Sequence, residues 1–91
     1  MNIHIRGGRM YITVYGVRHK TSRQWLEATT SRKYARYARL TIPPGGNIRF
    51  YYNQADAERS LGLWLGAAAF DNEYDLDRGA YEIVLLEITI P

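Results

Sequence analysis

The 91-residue chain contains no cysteine, which excludes disulfides and thiolate metal sites. Its only histidines are His4 and His19, too few for a histidine-rich metal centre. No apolar run approaches the roughly 18 residues that suggest a membrane span. Asn2, His4 and Arg6 interrupt the opening residues, so no secretory leader is expected there. A Gly-rich phosphate loop, a G-x-S-x-G elbow and an H-E-x-x-H zinc motif are all missing. Ser22 lies near His19 in sequence, but a serine nucleophile also needs a base held within hydrogen-bond reach. A partly exposed strand-end histidine accounts for His19 equally well. These absences lead us to expect a small cytoplasmic module with no catalytic residues, metal or cofactor.

What is present reads as one globular domain over residues 1–91. Hydrophobic residues make up 46% and charged residues 23%, the balance of a folded chain rather than a disordered tail. The net charge of +3 conceals a strong asymmetry. Residues 1–52 hold ten basic side chains against the single acid Glu27, a net +9. Residues 53–91 hold Arg59 and Arg78 against eight acids, a net −6. Such asymmetry points to a polyanionic partner, unless the two halves interleave in the fold and neutralise each other. Ten of the twelve basic residues are arginine, whose planar fork suits phosphate and carboxylate.

The hydrophobic periodicity outlines an α+β fold. Residues 2–6 alternate like a short strand, and Gly7-Gly8 marks a turn. Residues 9–18 form a stronger strand, with Met10, Ile12, Val14 and Gly16 on one face and Tyr11, Thr13, Tyr15 and Val17 on the other. Residues 21–39 fit either a short second helix or a strand: Thr21 with Gln24 suits a capping box, and Arg32, Arg36 and Arg39 line up at helical spacing. Pro43-Pro44-Gly45-Gly46 is a turn. It is expected to close a hairpin between Leu40–Ile42 and Asn47–Tyr52. Leu40, Ile42, Ile48, Phe50 and Tyr52 then face the core, opposite Tyr37, Arg39, Thr41, Arg49 and Tyr51.

The main helix is expected over about residues 54–69. Asn53 is its N-cap, Asp56 and Glu58 lie near its positive end, and Leu61, Trp64, Leu65 and Ala68 form its buried stripe. Gly62, Gly66 and Ala69 suggest a surface lying close against the helix. Ala80–Ile90 is a strand apolar on both faces, either central in the sheet or covered by a partner. Together these elements predict an antiparallel sheet of four to five strands covered by one helix.

Two constellations invite a ligand. Asp71, Glu73, Asp75 and Glu82 stand at positions 1, 3, 5 and 12 of a calcium-loop spacing, but Leu76 occupies the place that needs glycine and a strand follows. A solvated loop or an acidic docking surface fits it better. The sharper signal is basic and aromatic. Tyr11, Tyr15, Tyr37 and Tyr51 beside Arg39 and Arg49 suit base stacking and phosphate neutralisation. The same residue types dominate protein-interface hot spots. The expected partner-binding set is Arg32, Lys33, Arg36, Tyr37, Arg39, Arg49 and Tyr51.

In its short α+β format, its lack of a catalytic set and its patterned charge, the whole chain resembles the small virus-encoded inhibitors of bacterial defence, anti-CRISPR proteins among them. That group shares no common motif, so no residue role is carried over. The resemblance implies stoichiometric binding to a host protein or nucleoprotein complex through charged and aromatic side chains. The alternative is direct binding of DNA or RNA. No membrane partner is expected. The apolar outer side of the last strand leaves room for a homodimer.

Overall fold

The structure, a computed structural model, describes residues 3–30, 38–68 and 74–90. It is an α+β fold: one antiparallel sheet carrying one main helix. Strand β1 (Ile3–Arg6) turns into β2 (Arg9–His19) through Gly7 and Gly8. Both glycines have positive φ, 56° and 77°. A two-residue hairpin loop of this hand matches the twist of the flanking strands, and only residues tolerating left-handed dihedrals can make it. Arg6 then pairs with Arg9, and Ile3 with Ile12.

Strand β2 is the spine. One of its edges is held by β5 (Tyr81–Ile90) in a register of ten unbroken pairs, from Met10 with Ile90 to His19 with Tyr81. The other edge is divided among three partners. β1 takes the first part, an isolated bridge of Tyr15 with Tyr51 the middle, and β3 (Trp25–Leu26) the end. β4 (Leu40–Thr41) continues the sheet beyond β3. The last strand is therefore an edge strand, not a central one. Its apolar character on both faces has another cause, developed below.

Helix α1 (Gln54–Ala68) begins where Asn53 caps it: the Asn53 side chain accepts the Asp56 backbone N–H at 2.8 Å and donates to the Asp56 carboxylate at 2.9 Å. This satisfies one of the backbone donors that every helix leaves unpaired at its start. Ala57, Leu61 and Trp64 form its buried stripe and meet Val17, Leu26, Ala38 and Tyr81 in the core, with Leu65 packed beside them. The Trp64 indole donates to the Ala38 carbonyl at 2.8 Å and lies edge-on to Tyr81. Of the small-residue stripe, Gly62 and Gly66 do not lie against the sheet, and Ala69 lies outside the described residues. Gly66 faces open space, and Gly62 lies under the Arg78 guanidinium, which donates to the Glu58 carbonyl at 3.2 Å.

Within residues 21–30 the chain forms a turn and β3, with no helix; residues 31–37 lie outside the described residues. Among the described residues the helical element besides α1 is a 3-10 turn at Arg78–Ala80, with the Asp77 side chain accepting the Gly79 N–H at its start. The expected hairpin across the Pro-Pro-Gly-Gly turn is replaced by a three-way arrangement. β4 pairs with β3, while Ile48 bridges Glu27 and Arg49 N–H donates to the Leu26 carbonyl at 2.9 Å. Residues 25–28 thus lie between the two arms that were expected to pair directly. Among the described residues no helix is long and apolar enough to cross a membrane.

Candidate interaction surface

Three members of the expected basic and aromatic set fall among the described residues. Arg39 projects into solvent with 72% of its side chain exposed, loosely paired with Glu27 at 3.7 Å. Arg49 is half-buried: its guanidinium donates to Thr29 Oγ1 at 3.2 Å and lies 5.6 Å from the centre of the Tyr51 ring. Tyr51 packs against the core, and its hydroxyl bonds to Ser60. Arg32, Lys33, Arg36 and Tyr37 lie outside the described residues.

Several rings that read as a stacking platform are turned inward. Tyr15 packs on the core, and Tyr11 is half-buried with the Arg6 guanidinium 4.7 Å from its centre. The reason is backbone pairing. Tyr15 and Tyr51 exchange hydrogen bonds of 2.8 and 2.9 Å, and paired residues in an antiparallel bridge project to the same face. That face carries α1. Neighbours along the chain project the other way, so Phe50 and Tyr52 turn outward. Both are exposed, and so is Ile42. All three were expected in the core.

The charge asymmetry is partly cancelled within the fold. Arg6 pairs with Glu87, and Arg18 with Glu82 at 2.7 Å, a carboxylate that Arg23 also approaches at 3.5 Å. Hydrogen bonding from Arg18 holds the Glu82 carboxyl below its ordinary value. The Arg18 guanidinium also lies 5.0 Å from the Trp25 ring. These arginines from the basic half are occupied by acids of the other half. Arg9 has no carboxylate partner among the described residues.

The histidine and acidic-loop candidates form a structural clasp. His19 Nε2 lies 3.2 Å from the Asp75 carboxylate, while its Nδ1 accepts the Ser22 backbone N–H at 3.1 Å. The ring is therefore the Nε2–H tautomer. The Ser22 hydroxyl accepts from Gln24 N–H at 3.3 Å and is not bonded to the ring. Asp75 also accepts the Asp77 N–H, the main reason its carboxyl is held below the usual range; His19 adds to the effect. The Tyr81 hydroxyl donates to the Asp75 carbonyl at 2.6 Å, and burial pushes its pKa up to about 12. Asp71 and Glu73 lie outside the described residues. Among those described, no three acidic or histidine side chains group as a metal site.

The largest unspent feature is the sheet face opposite α1. In register, β1 contributes Ile3 and Ile5, β2 contributes Met10, Ile12, Val14 and Gly16, and β5 contributes Val84, Leu86, Ile88 and Ile90. Phe50 and Tyr52 extend this face along β2 where β1 stops. Ile48 and Trp25 cover Gly16: a Cβ there would stand 2.9 Å from the indole and 3.4 Å from Ile48. Ile5 is 72% exposed and Tyr52 60%, with Ile3, Met10 and Phe50 also open to solvent. Among the described residues, the β1, β2 and β5 columns of this face carry no ionisable group until the Arg18–Glu82 pair at their end. The reverse side of the same strands is polar there, with His4 Nε2 bonded to Thr13 Oγ1 at 2.8 Å beside Arg6 and Glu87.

This pattern explains why β5 is apolar on both faces: one face meets the helix near Tyr81 and Ile83, and the other belongs to the uncovered sheet. Alternation identified the even-numbered side chains of β2 and β5 as apolar, and the absence of a second covering element was the remaining clue. Strand spacing of about 4.8 Å and a rise of about 3.3 Å per residue give three columns a span of roughly 14 by 26 Å, or about 360 Å² of sheet. Its open part is Ile3, Ile5, Met10, Phe50 and Tyr52, while Val14 is buried at 2% and Ile12, Val84, Leu86, Ile88 and Ile90 are half-buried. Exposed apolar patches of roughly 300–600 Å² are often functional. Compared with known proteins, the chain matches no family model, no curated protein and no solved structure.

Proposed function

We propose that this chain is a non-enzymatic binding module that acts in the cytoplasm by docking on a protein of a nucleic-acid-handling complex, in the manner of small inhibitors of bacterial defence. The carrying observation is the uncovered aliphatic and aromatic sheet face. Burial of apolar surface drives most protein association, at about 25 cal/mol per Å². Phe50 and Tyr52 supply the aromatic anchors that concentrate binding energy at interfaces. The exposed Arg39, with Arg32, Lys33 and Arg36 before it in the sequence, supplies the electrostatic steering that speeds encounter with an acidic or nucleic-acid-loaded partner.

The test is co-purification of the chain from its native cell, with and without Phe50→Ser/Tyr52→Ser. Both side chains are exposed, so the variant keeps its fold. Loss of a stoichiometric partner on the double substitution supports the reading; retention of that partner overturns it. A second reading, direct DNA or RNA binding, is favoured by the exposed Arg39 at the end of the basic run. It predicts a gel shift of bare nucleic acid that weakens steeply between 50 and 200 mM salt (approximate bounds), as counterion release requires. It is abandoned if no probe shifts at low salt.

A further inference from the structure

We propose that the outer edge of β5 is a self-association surface, and that two copies join antiparallel about a two-fold axis at Leu85 into one continuous sheet. Tyr15 uses both its N–H and its C=O on Tyr51, away from β5. Its register partner Leu85 is therefore also turned away from β2, because groups in an antiparallel ladder alternate direction. The same alternation points the backbone groups of Tyr81, Ile83, Leu85, Glu87 and Thr89 at the free edge. Among the described residues no strand pairs with that edge, and of these groups the Tyr81 N–H alone is already used, on the Arg78 carbonyl.

Long free edges are normally blunted by proline, lysine or a bulge. Tyr81–Ile90 has no proline or lysine, and its ten-pair register has no bulge. Its two charges are already neutralised within the chain, Glu82 by Arg18 and Glu87 by Arg6. A second copy therefore meets no like-charge barrier. The outward-facing residues are symmetric about Leu85, so one register pairs all five: Leu85 with its copy, Ile83 with Glu87, and Tyr81 with Thr89. The Leu85–Leu85 and Ile83–Glu87 pairs each exchange two backbone hydrogen bonds; the Tyr81–Thr89 pairs are limited to one, because the Tyr81 N–H is held by the Arg78 carbonyl. Leu85 is 58% exposed and finds its own copy opposite.

The two-fold axis stands perpendicular to the sheet, so both uncovered faces lie on the same side. The open side chains of the two faces, Ile3, Ile5, Met10, Phe50 and Tyr52 of each copy, then address one partner from a single continuous sheet. The inference stands on the edge geometry; only this last consequence rests on the proposed docking role.

Sedimentation equilibrium of the full chain tests it. The wild type is expected at twice the 10.5 kDa chain mass at about 50 µM, within the micromolar range of modest affinities. Leu85→Lys is expected to be monomeric with an unchanged far-ultraviolet spectrum. Because the chain has no cysteine, Leu85→Cys gives a second readout. The roughly 5.5 Å Cα spacing of a hydrogen-bonded pair lies within disulfide range, so mild oxidation should link two copies. Glu87→Cys should not link, since four residues offset the two thiols by about 13 Å. A wild type that stays monomeric at millimolar concentration, a dimer that survives Leu85→Lys, or stronger linkage at 87 than at 85 overturns the proposal. A monomer that still loses its partner on Phe50→Ser/Tyr52→Ser would refute the dimer alone and leave the docking role standing.

Discussion

Trp64→Phe removes one hydrogen bond and part of one ring from the centre of the core. Trp64 is 2% exposed and its indole N–H is bonded to the buried Ala38 carbonyl at 2.8 Å. Phenylalanine leaves that carbonyl without its donor, which costs about 1–3 kcal/mol. The smaller ring also leaves a void worth about 1 kcal/mol and weakens the edge contact with Tyr81 and the tilted contact with Tyr74. The sum is about 2–4 kcal/mol, against a total of about 5–14 kcal/mol for a chain of this length. Urea unfolding followed by far-ultraviolet circular dichroism reads the change. With a slope of about 1–2 kcal/mol per molar urea, the midpoint should fall by about 2 M. The same hydrogen bond fixes where the chain enters β4, so amide exchange at Leu40 and Thr41 should accelerate in the variant. A midpoint shift below about 0.3 M would refute the assignment of Trp64 as the anchor between helix and sheet.

Other perturbations test other joints. Gly16→Ala places a methyl group against the Trp25 indole. Overpacking of about 1–3 kcal/mol should exceed the roughly 0.5–1 kcal/mol gained by removing glycine, and Trp25→Leu should relieve it in a double-mutant cycle. The Glu82 carboxyl is held below its ordinary value near 4.5 by Arg18, so its stabilisation is complete above that value and is lost as pH falls through the depressed folded value. Arg18→Met should flatten this acid limb of a thermal-melt pH profile. The Tyr81 phenol, raised to about 12, binds its proton more tightly folded than unfolded. Stability should therefore decline as pH rises from about 10 to 12, and Tyr81→Phe should remove that decline. Spectrophotometric titration at the tyrosinate band reads the same group directly.

The elements with strict periodicity were legible in the sequence. β2 and β5 alternate along their length, and α1 carries a cap, an acidic first turn and a spaced apolar stripe. The β1–β2 turn was legible too, because two adjacent glycines between strand signals leave few alternatives. The region from Thr21 to Tyr52 was not. Its turn at Pro43–Gly46 was readable, but its pairing was decided by distant backbone: Leu26 and Glu27 interpose between the two arms, and Tyr51 fills a gap in the edge of β2. A local hairpin reading then placed Phe50, Tyr52 and Ile42 inside and Tyr51 outside. The shared parity of Ile48, Phe50 and Tyr52 was correct, but the face it belonged to was not. Ionic pairing was equally non-local, since Arg6 meets Glu87 across 81 positions and Arg18 meets Glu82 across 64. The docking face was half visible, as the even-numbered side chains of β2 and β5. The single main helix was expected as well; what the sequence did not say is which face of the sheet it would cover.

Site-specific photo-crosslinking in the native cell tests the central claim most directly. A benzophenone side chain replaces Tyr52 on the uncovered sheet face or, as a comparison, Leu63 on the solvent side of α1; both positions are exposed. The account predicts one dominant adduct from position 52, to a subunit of a nucleic-acid-handling complex, and none from position 63. Equal adducts from both positions, or an adduct from position 63 alone, would contradict it.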